Sequence, residues 1–369
     1  MRAGRITITK MGISFSTTAL SVLLLVAMAI PGFIVIKTKV VKPAAISAFA
    51  AVLLYVSQPF LSLRSFLQVE YSNNLALNLL IVFAASLVFQ GFVFLVLWLI
   101  FKKRFDDPIT TARIKAAGFL NSNSGVIISY KDLPEDVQQT ARGRAYRVMV
   151  LTSTFGNVGF FGVPILQVIF SDITISATAI AYSAVYIVSM NLMFWTIGAY
   201  TLTGDKKYIS IKKALLNPQI ITMIVALPLF FGKVTMGLIE SSPVPQFAKI
   251  INYLADMTAP MCMLILGMRF ALAPLKELFT DWKTYVSSFI KLIIFPIVVW
   301  AILLPIPFED SLMKSVLIIL SAMPSASFNL NLAELFDADQ KSAANAILLS
   351  TLFSIITIPA IVALSNVTL

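Results

Sequence analysis

Residues 152–166 read Thr-Ser-Thr-Phe-Gly-Asn-Val-Gly-Phe-Phe-Gly-Val-Pro-Ile-Leu, so Gly156, Asn157, Gly159, Gly162 and Pro164 lie inside a strongly apolar segment. Glycine and proline weaken or break a helix. In lipid, every backbone amide and carbonyl freed by a break needs another partner, so broken helices survive only where they are buried in protein or line a cavity. A second such segment follows near the C-terminus: Ser321-Ala-Met-Pro-Ser-Ala-Ser-Phe-Asn-Leu-Asn331, with Pro324 and Ser325 at its centre. Two helices broken at mid-membrane expose unpaired amides at the N-termini of their second halves. Each end carries roughly half a positive charge. Such ends bind anions without any buried Lys or Arg, and the natural ligand is an organic carboxylate. Asn157 either contacts that ligand through its amide or only caps the half-helix, while the break at Pro324 and Ser325 serves the site through backbone shape, with Ser325 contact an even alternative.

The elements that must hold these breaks are membrane spans. The chain of 369 residues is 59% hydrophobic and 12% charged, against roughly 45–50% and 25% in soluble domains, which makes it a polytopic all-α membrane protein. Runs of about 20 apolar residues mark spanning helices. Ten are read, at about 14–36, 43–66, 74–101, 147–170, 174–202, 218–238, 246–272, 284–305, 311–335 and 342–365. Ten divide into five plus five, and an odd number per half forces the second half to be inverted. The halves are residues 1–203, with a cytoplasmic loop at 102–145, and residues 204–369. Broken fourth and ninth spans in matching places fit an inverted-repeat transporter. Leu133-Pro134-Glu135-Asp136 has the proline and acids of a helix start, and that helix is expected to run into the fourth span.

With both termini outside, 20 of the 28 Lys and Arg fall in inside loops, as the positive-inside rule asks. The net charge of +11 is thus membrane topology rather than a nucleic-acid surface. The expected location is the cytoplasmic membrane, with the bilayer and a small organic anion as partners.

Other chemistry is excluded or left open. The chain has no histidine and one cysteine, Cys262, which argues against a His-based or metal-dependent enzyme and rules out an internal disulfide. Asp106-Asp107 has no second acidic cluster to make a metal site, and no GxxxxGK[ST] loop binds ATP. No cofactor is implied; H⁺, Na⁺ or no coupling ion remain open. Asp256, four residues before Pro260, is an intramembrane carboxylate by this reading and a candidate ion-coupling group, or else an interfacial cap. Gln90 could assist a cation or bond a neighbouring helix.

Pro59-Phe-Leu-Ser62 with Asn73-Asn74, Gly156-Asn157 with Gly162-Val-Pro164, Leu254-Ala-Asp256 through Gly267 to Ala271-Leu-Ala-Pro274, and Ala322-Met-Pro324 through Ala333 to Ile358-Pro359 together resemble the auxin efflux carrier family. The resemblance runs from about residue 20 to the C-terminal end. It implies the fold of bile-acid and sodium–proton exchangers, with two inverted five-helix repeats, an elevator-like movement and a homodimer. It also implies that Ser62 and Asn191 lie near the substrate pocket. A carboxylate of the plant carriers' third span is matched here by Ser86. The function implied is secondary transport of organic anions, such as malate-like dicarboxylates or auxin-like monocarboxylates. The alternatives are a ligand sensor on the same fold and, less favoured, a lipid-modifying enzyme.

Overall fold

The computed structural model describes residues 15–105, 135–170, 172–272, 278–279, 281–307, 310–336 and 338–368. Asp106, Asp107, Lys276 and Pro274 lie outside them. The described residues are helical, and their only β pairing is one isolated antiparallel bridge between Gly156 and Ser325.

Among the described residues, seven helices are long and apolar enough to cross a membrane: Thr18–Lys37, Ala45–Gln68, Asn73–Arg104, Ile173–Thr203, Gln246–Leu272, Trp282–Leu303 and Gln340–Leu364. An eighth forms if Lys206–Leu215 and Pro218–Phe231, bent by 42° at their junction, are taken as one span. The breaks expected in the fourth and ninth segments are there. The fourth and ninth apolar segments are each split, and the pieces Val158–Ile169 and Ser311–Ser321 are shorter than a crossing. The helix that opens at Glu135, after Pro134, does continue to Thr154 and delivers the first break.

Packing is closest where side chains are absent. Ile30–Lys37 lies along Thr258–Leu272, and the contact is reciprocal. A Cβ on Gly32 would enter the carbonyl of Leu264, and one on Gly267 would enter the carbonyl of Ala29. Small residues that let two membrane helices touch backbone to backbone replace the hydrophobic drive that lipid removes. Gln58–Gln68 packs on both Pro218–Phe231 and Gln246–Asp256, and Asn73–Phe101 packs on Ile173–Met193.

Candidate functional site: a crossing of two broken helices

The first break begins where Thr152 and Thr154 turn their hydroxyls back onto carbonyls of the preceding turn, at Val148, Met149 and Val150. Such back-bonding competes with the helix ladder. The helix stops at Thr154 and the chain runs extended through Gly156 to Asn157. It restarts because the Asn157 side-chain carbonyl caps Phe160 N–H at 3.3 Å, and Phe161 and Gly162 both donate to the Asn157 backbone carbonyl. Pro164 then sits in the first turn of Val163–Ile169, where its missing N–H costs nothing. The second break follows from Pro324, which disfavours a helical Met323. Ser311–Ser321 ends there and Phe328–Leu335 begins beyond it.

The two extended pieces pair with each other. Asn157 N–H donates to the Pro324 carbonyl at 2.6 Å, and Ala326 N–H donates to the Phe155 carbonyl at 2.9 Å. Ser325 Oγ donates to the Thr152 carbonyl at 2.5 Å, and Ser325 N–H donates to Ser350 Oγ at 3.0 Å. The Ser321 carbonyl accepts from the Lys291 ammonium at 2.7 Å. The crossing thus supplies partners for backbone groups that the breaks release, as burial in a membrane requires.

Beside the crossing lies a cavity of about 80 Å³, against the roughly 10–15 Å³ that one water needs on the same measure. Its walls carry six carboxamides: Gln58, Asn157, Asn191, Asn217, Gln219 and Asn331. Ser327, at the start of Phe328–Leu335, adds a hydroxyl, and the restarting turns Val158-Gly159-Phe160 and Ser327-Phe328 complete the wall. Among the described residues, no acidic or basic side chain lines it. The two helix N-termini therefore face the cavity and set a positive potential there. The amide nitrogen of Gln58 is buried without a partner, and Asn191 is buried with no side-chain hydrogen bond among the described residues. Gln58 Nε2 also stands 2.6 Å from where a Cβ of Gly159 would be, so glycine there makes room for the amide.

A larger cavity of about 620 Å³ adjoins this one, with Leu54, Phe160 and Asn331 lining both. Its walls include Pro43, Ala44, Tyr55, Arg269, Glu334 and Ala344. It forms a vestibule whose inner end is the crossing. Three of the four π-helical turns among the described residues line these cavities, Leu53–Ser57 before Gln58, Val158–Gly162 after Asn157 and Phe194–Gly198 after Asn191, and the fourth, Ile290–Ile294, brings Lys291 to the crossing. Extra-residue turns of this kind collect at functional sites because they redirect side chains that a regular helix would hide.

The residues singled out from sequence divide accordingly. Gly156, Asn157 and Asn191 line the small cavity. Pro324 and Ser325 form the crossing itself, with the Ser325 hydroxyl spent on the Thr152 carbonyl. Ser62 stands one layer behind and accepts from Gln219 Nε2 at 2.7 Å, so it positions a cavity amide. Asp256 is not in the cavity. It pairs with Arg64 at 2.5 Å and its side chain is 66% exposed. Gln90 is not there either: its amide donates to the Ser86 carbonyl at 3.1 Å, and Ser86 forms a short hydroxyl bond to Ser189. Sequence reasoning missed Gln58, Asn217, Gln219 and Lys291. The available signal was a buried-type amide or ammonium inside an apolar run, as in Ser57-Gln58-Pro59 and Ile290-Lys291-Leu292.

Residues 141–362, well over half of the chain, match the family of membrane transport proteins. Over 211 residues the chain is 29% identical to an uncharacterized transporter of Methanocaldococcus jannaschii. That match spans 57% of this chain and 65% of the relative, a little under two thirds of its length. Both similarities are to transporters rather than enzymes. The matched region contains both breaks, the crossing, and the cavity residues Asn157, Asn191, Asn217, Gln219, Ser327 and Asn331. The chain belongs to the membrane transport protein family, the auxin efflux carriers.

Proposed function

We propose that this protein is a secondary transporter that carries small organic anions, carboxylates foremost, across the cytoplasmic membrane by alternating access at the crossing. The observation that carries the reading is the cavity: six carboxamides and two helix N-termini converge on it without a formal charge, and Gln58 offers an unpaired buried donor. An orphaned buried donor costs about 1–3 kcal/mol, which a bound carboxylate oxygen would recover. Acids would repel an anion, and a charged wall would bind it too firmly to release.

Ten spans in two inverted repeats, residues 1–203 and 204–369, remain the architecture we favour, with the two broken segments as its fourth and ninth members. With both termini outside, the residues at the vestibule mouth, Pro43, Ala44, Arg269, Glu334 and Ala344, follow or precede the inside loops. The conformation is then inward-facing, and an elevator-like shift of the crossing would carry the cavity to the other side. A homodimer would provide the fixed scaffold.

The test is flux of radiolabelled acetate, malonate, succinate and benzoate into liposomes holding the purified protein. Saturable uptake of at least one, abolished in Asn157→Ala, supports the reading. Binding without flux would instead identify a sensor on the same fold.

A further inference from the structure

Two formal charges enter the vestibule of about 620 Å³, those of Arg269 and Glu334, among walls that are mostly apolar, as at Ile46, Leu54, Leu272 and Leu330. Arg269 belongs to Thr258–Leu272, three residues before that helix ends, and Glu334 to Phe328–Leu335, the helix that restarts beyond Pro324. A guanidinium stays charged at any working pH. Neither side chain has a hydrogen bond or an ion pair among the described residues, although their charges are near enough to interact.

The backbone under Arg269 is fixed. Gly267, two residues earlier, meets the Ala29 carbonyl with no room for a Cβ, and Met268 and Ala271 pack on Ile36. The helix cannot slide to find the guanidinium a partner elsewhere, so its partner must come into the vestibule. Phe328–Leu335 runs from the crossing toward the mouth. Phe328 lines the small cavity, Asn331 lines both spaces, and Glu334 lines only the vestibule. Six residues of helix separate Phe328 from Glu334, roughly 9 Å. The charged pair therefore stands one step outward from the amide-lined cavity.

The rim adds charge of one sign. Lys42 immediately precedes Pro43, and Lys341 stands three residues before Ala344; both lysines are exposed beside residues of the vestibule wall. Glu334 is the one acid among the described lining residues. A cleft with low-dielectric walls and charge mainly of one sign focuses its field and concentrates the opposite ion. Here the field draws anions inward, past Arg269 and toward the two helix N-termini at the crossing.

Resting on the anion reading above, we propose that Arg269 is a docking subsite, where a carboxylate pauses between solution and the amide-lined cavity. The guanidinium fork matches a carboxylate with two parallel N–H···O bonds. Two features keep that docking weak enough for passage. Arg269 is only half-buried, so water screens the pair, and Glu334 competes for the same fork. The anion then leaves Arg269 for the cavity, where neutral amides and helix N-termini hold it without a formal charge. Arg269 thus sets how fast anions are captured, while the cavity sets how well they are held.

The experiment is the rate of binding of acetate, malonate, succinate and benzoate to the purified protein, by stopped-flow tryptophan fluorescence excited on the red edge of the indole band. Trp195 is a reporter in place, 5.8 Å from the ring of the cavity residue Phe328. Rates are compared at about 10 and about 150 mM salt, where charges are screened beyond about 30 and 8 Å. Arg269→Gln should lower the association rate at low salt roughly tenfold, the low end of steering effects, and flatten its salt dependence. Arg269→Lys keeps the charge and should recover most of the rate, while Glu334→Gln, which removes the competitor, should raise it. Lys42→Gln loses the same charge from the rim and should change the rate by no more than about twofold. A probe silent in fluorescence is ranked by the salt dependence of its thermal stabilisation, which Arg269→Gln should flatten in the same way. Wild-type rate and salt dependence in Arg269→Gln, or an equal loss in Lys42→Gln, overturns the subsite and leaves the anion site standing. Failure of every probe to bind folded wild type overturns both.

Discussion

The backbone N–H of Asn157 donates to the carbonyl of Pro324, 167 positions further along the chain, at 2.6 Å. This bond, with its neighbour from Ala326 to Phe155, joins two helices that each stop inside apolar sequence. A break in one segment alone would leave amides and carbonyls unpaired at a cost of several kcal/mol apiece. Each break is tolerated because the other exists.

Asn157→Ala should therefore have two separable effects. Loss of the cap on Phe160 costs about 1 kcal/mol, a drop of a few degrees in melting temperature. Loss of the side chain from the cavity wall should lower carboxylate affinity by tenfold or more. Pro324→Ala permits a continuous helix and should abolish flux while the protein still inserts. Uptake assays beside thermal unfolding distinguish the outcomes, and normal flux in both variants would remove the crossing as the site.

Gln58 should show the opposite balance. Its amide nitrogen has no partner in the empty cavity, so Gln58→Met removes an unsatisfied donor at similar volume. The variant should unfold at the same temperature as wild type or up to a few degrees higher, yet bind carboxylates about tenfold more weakly, or about 1.4 kcal/mol. Equal affinity would show that the orphaned donor serves no ligand.

The glycines are predicted to differ sharply by position. Gly32→Ala or Gly267→Ala drives a methyl into backbone of the facing helix and should cost about 3 kcal/mol or more, or prevent assembly, since core overpacking runs at 1–3 kcal/mol even against side chains that can yield. Gly91→Ala meets only the Met193 methyl at 3.8 Å. It should stabilise its helix by about 0.5–1 kcal/mol. Thermal unfolding of the three purified variants checks the order.

Asp256→Asn tests the acid that the sequence reading offered for ion coupling. It is paired with Arg64 but lies outside the cavity, and its side chain is largely exposed. With the anion held at the crossing, the variant should keep its carboxylate affinity and lose about 1 kcal/mol of stability at most. Loss of carboxylate flux with the protein still folded would give Asp256 a coupling role.

The breaks at Gly156-Asn157 and Pro324-Ser325 were legible in sequence because glycine and proline act locally, whatever surrounds them. The helix running from Glu135 into the first break was legible for the same reason. The cavity was only half legible. Asn157 and Asn191 stood out as amides in apolar runs, but Gln58, Asn217 and Gln219 come from two other segments, and only the tertiary packing of Gln58–Gln68 on Pro218–Phe231 brings them to the same wall. Lys291 is one basic residue within an apolar run. Its place at the crossing comes from Ser321 and Gly156, distant in sequence, and no local pattern announces them. Asp256 was legible as a lone acid in an apolar run, but its partner Arg64 was not, because hydropathy counts neighbours along the chain and Arg64 belongs to another helix.

The most direct measurement is carboxylate-dependent thermal stabilisation of the purified protein, wild type beside Asn157→Ala and Gln58→Met. A ligand that binds the folded state must raise its apparent stability, by about 2.7 kcal/mol at a hundredfold excess over Kd. An anion site at the crossing predicts a rise with at least one of acetate, malonate, succinate or benzoate in wild type, and a much smaller rise at the same concentration in both variants. Equal stabilisation of all three proteins, or none of wild type by any carboxylate, would contradict it.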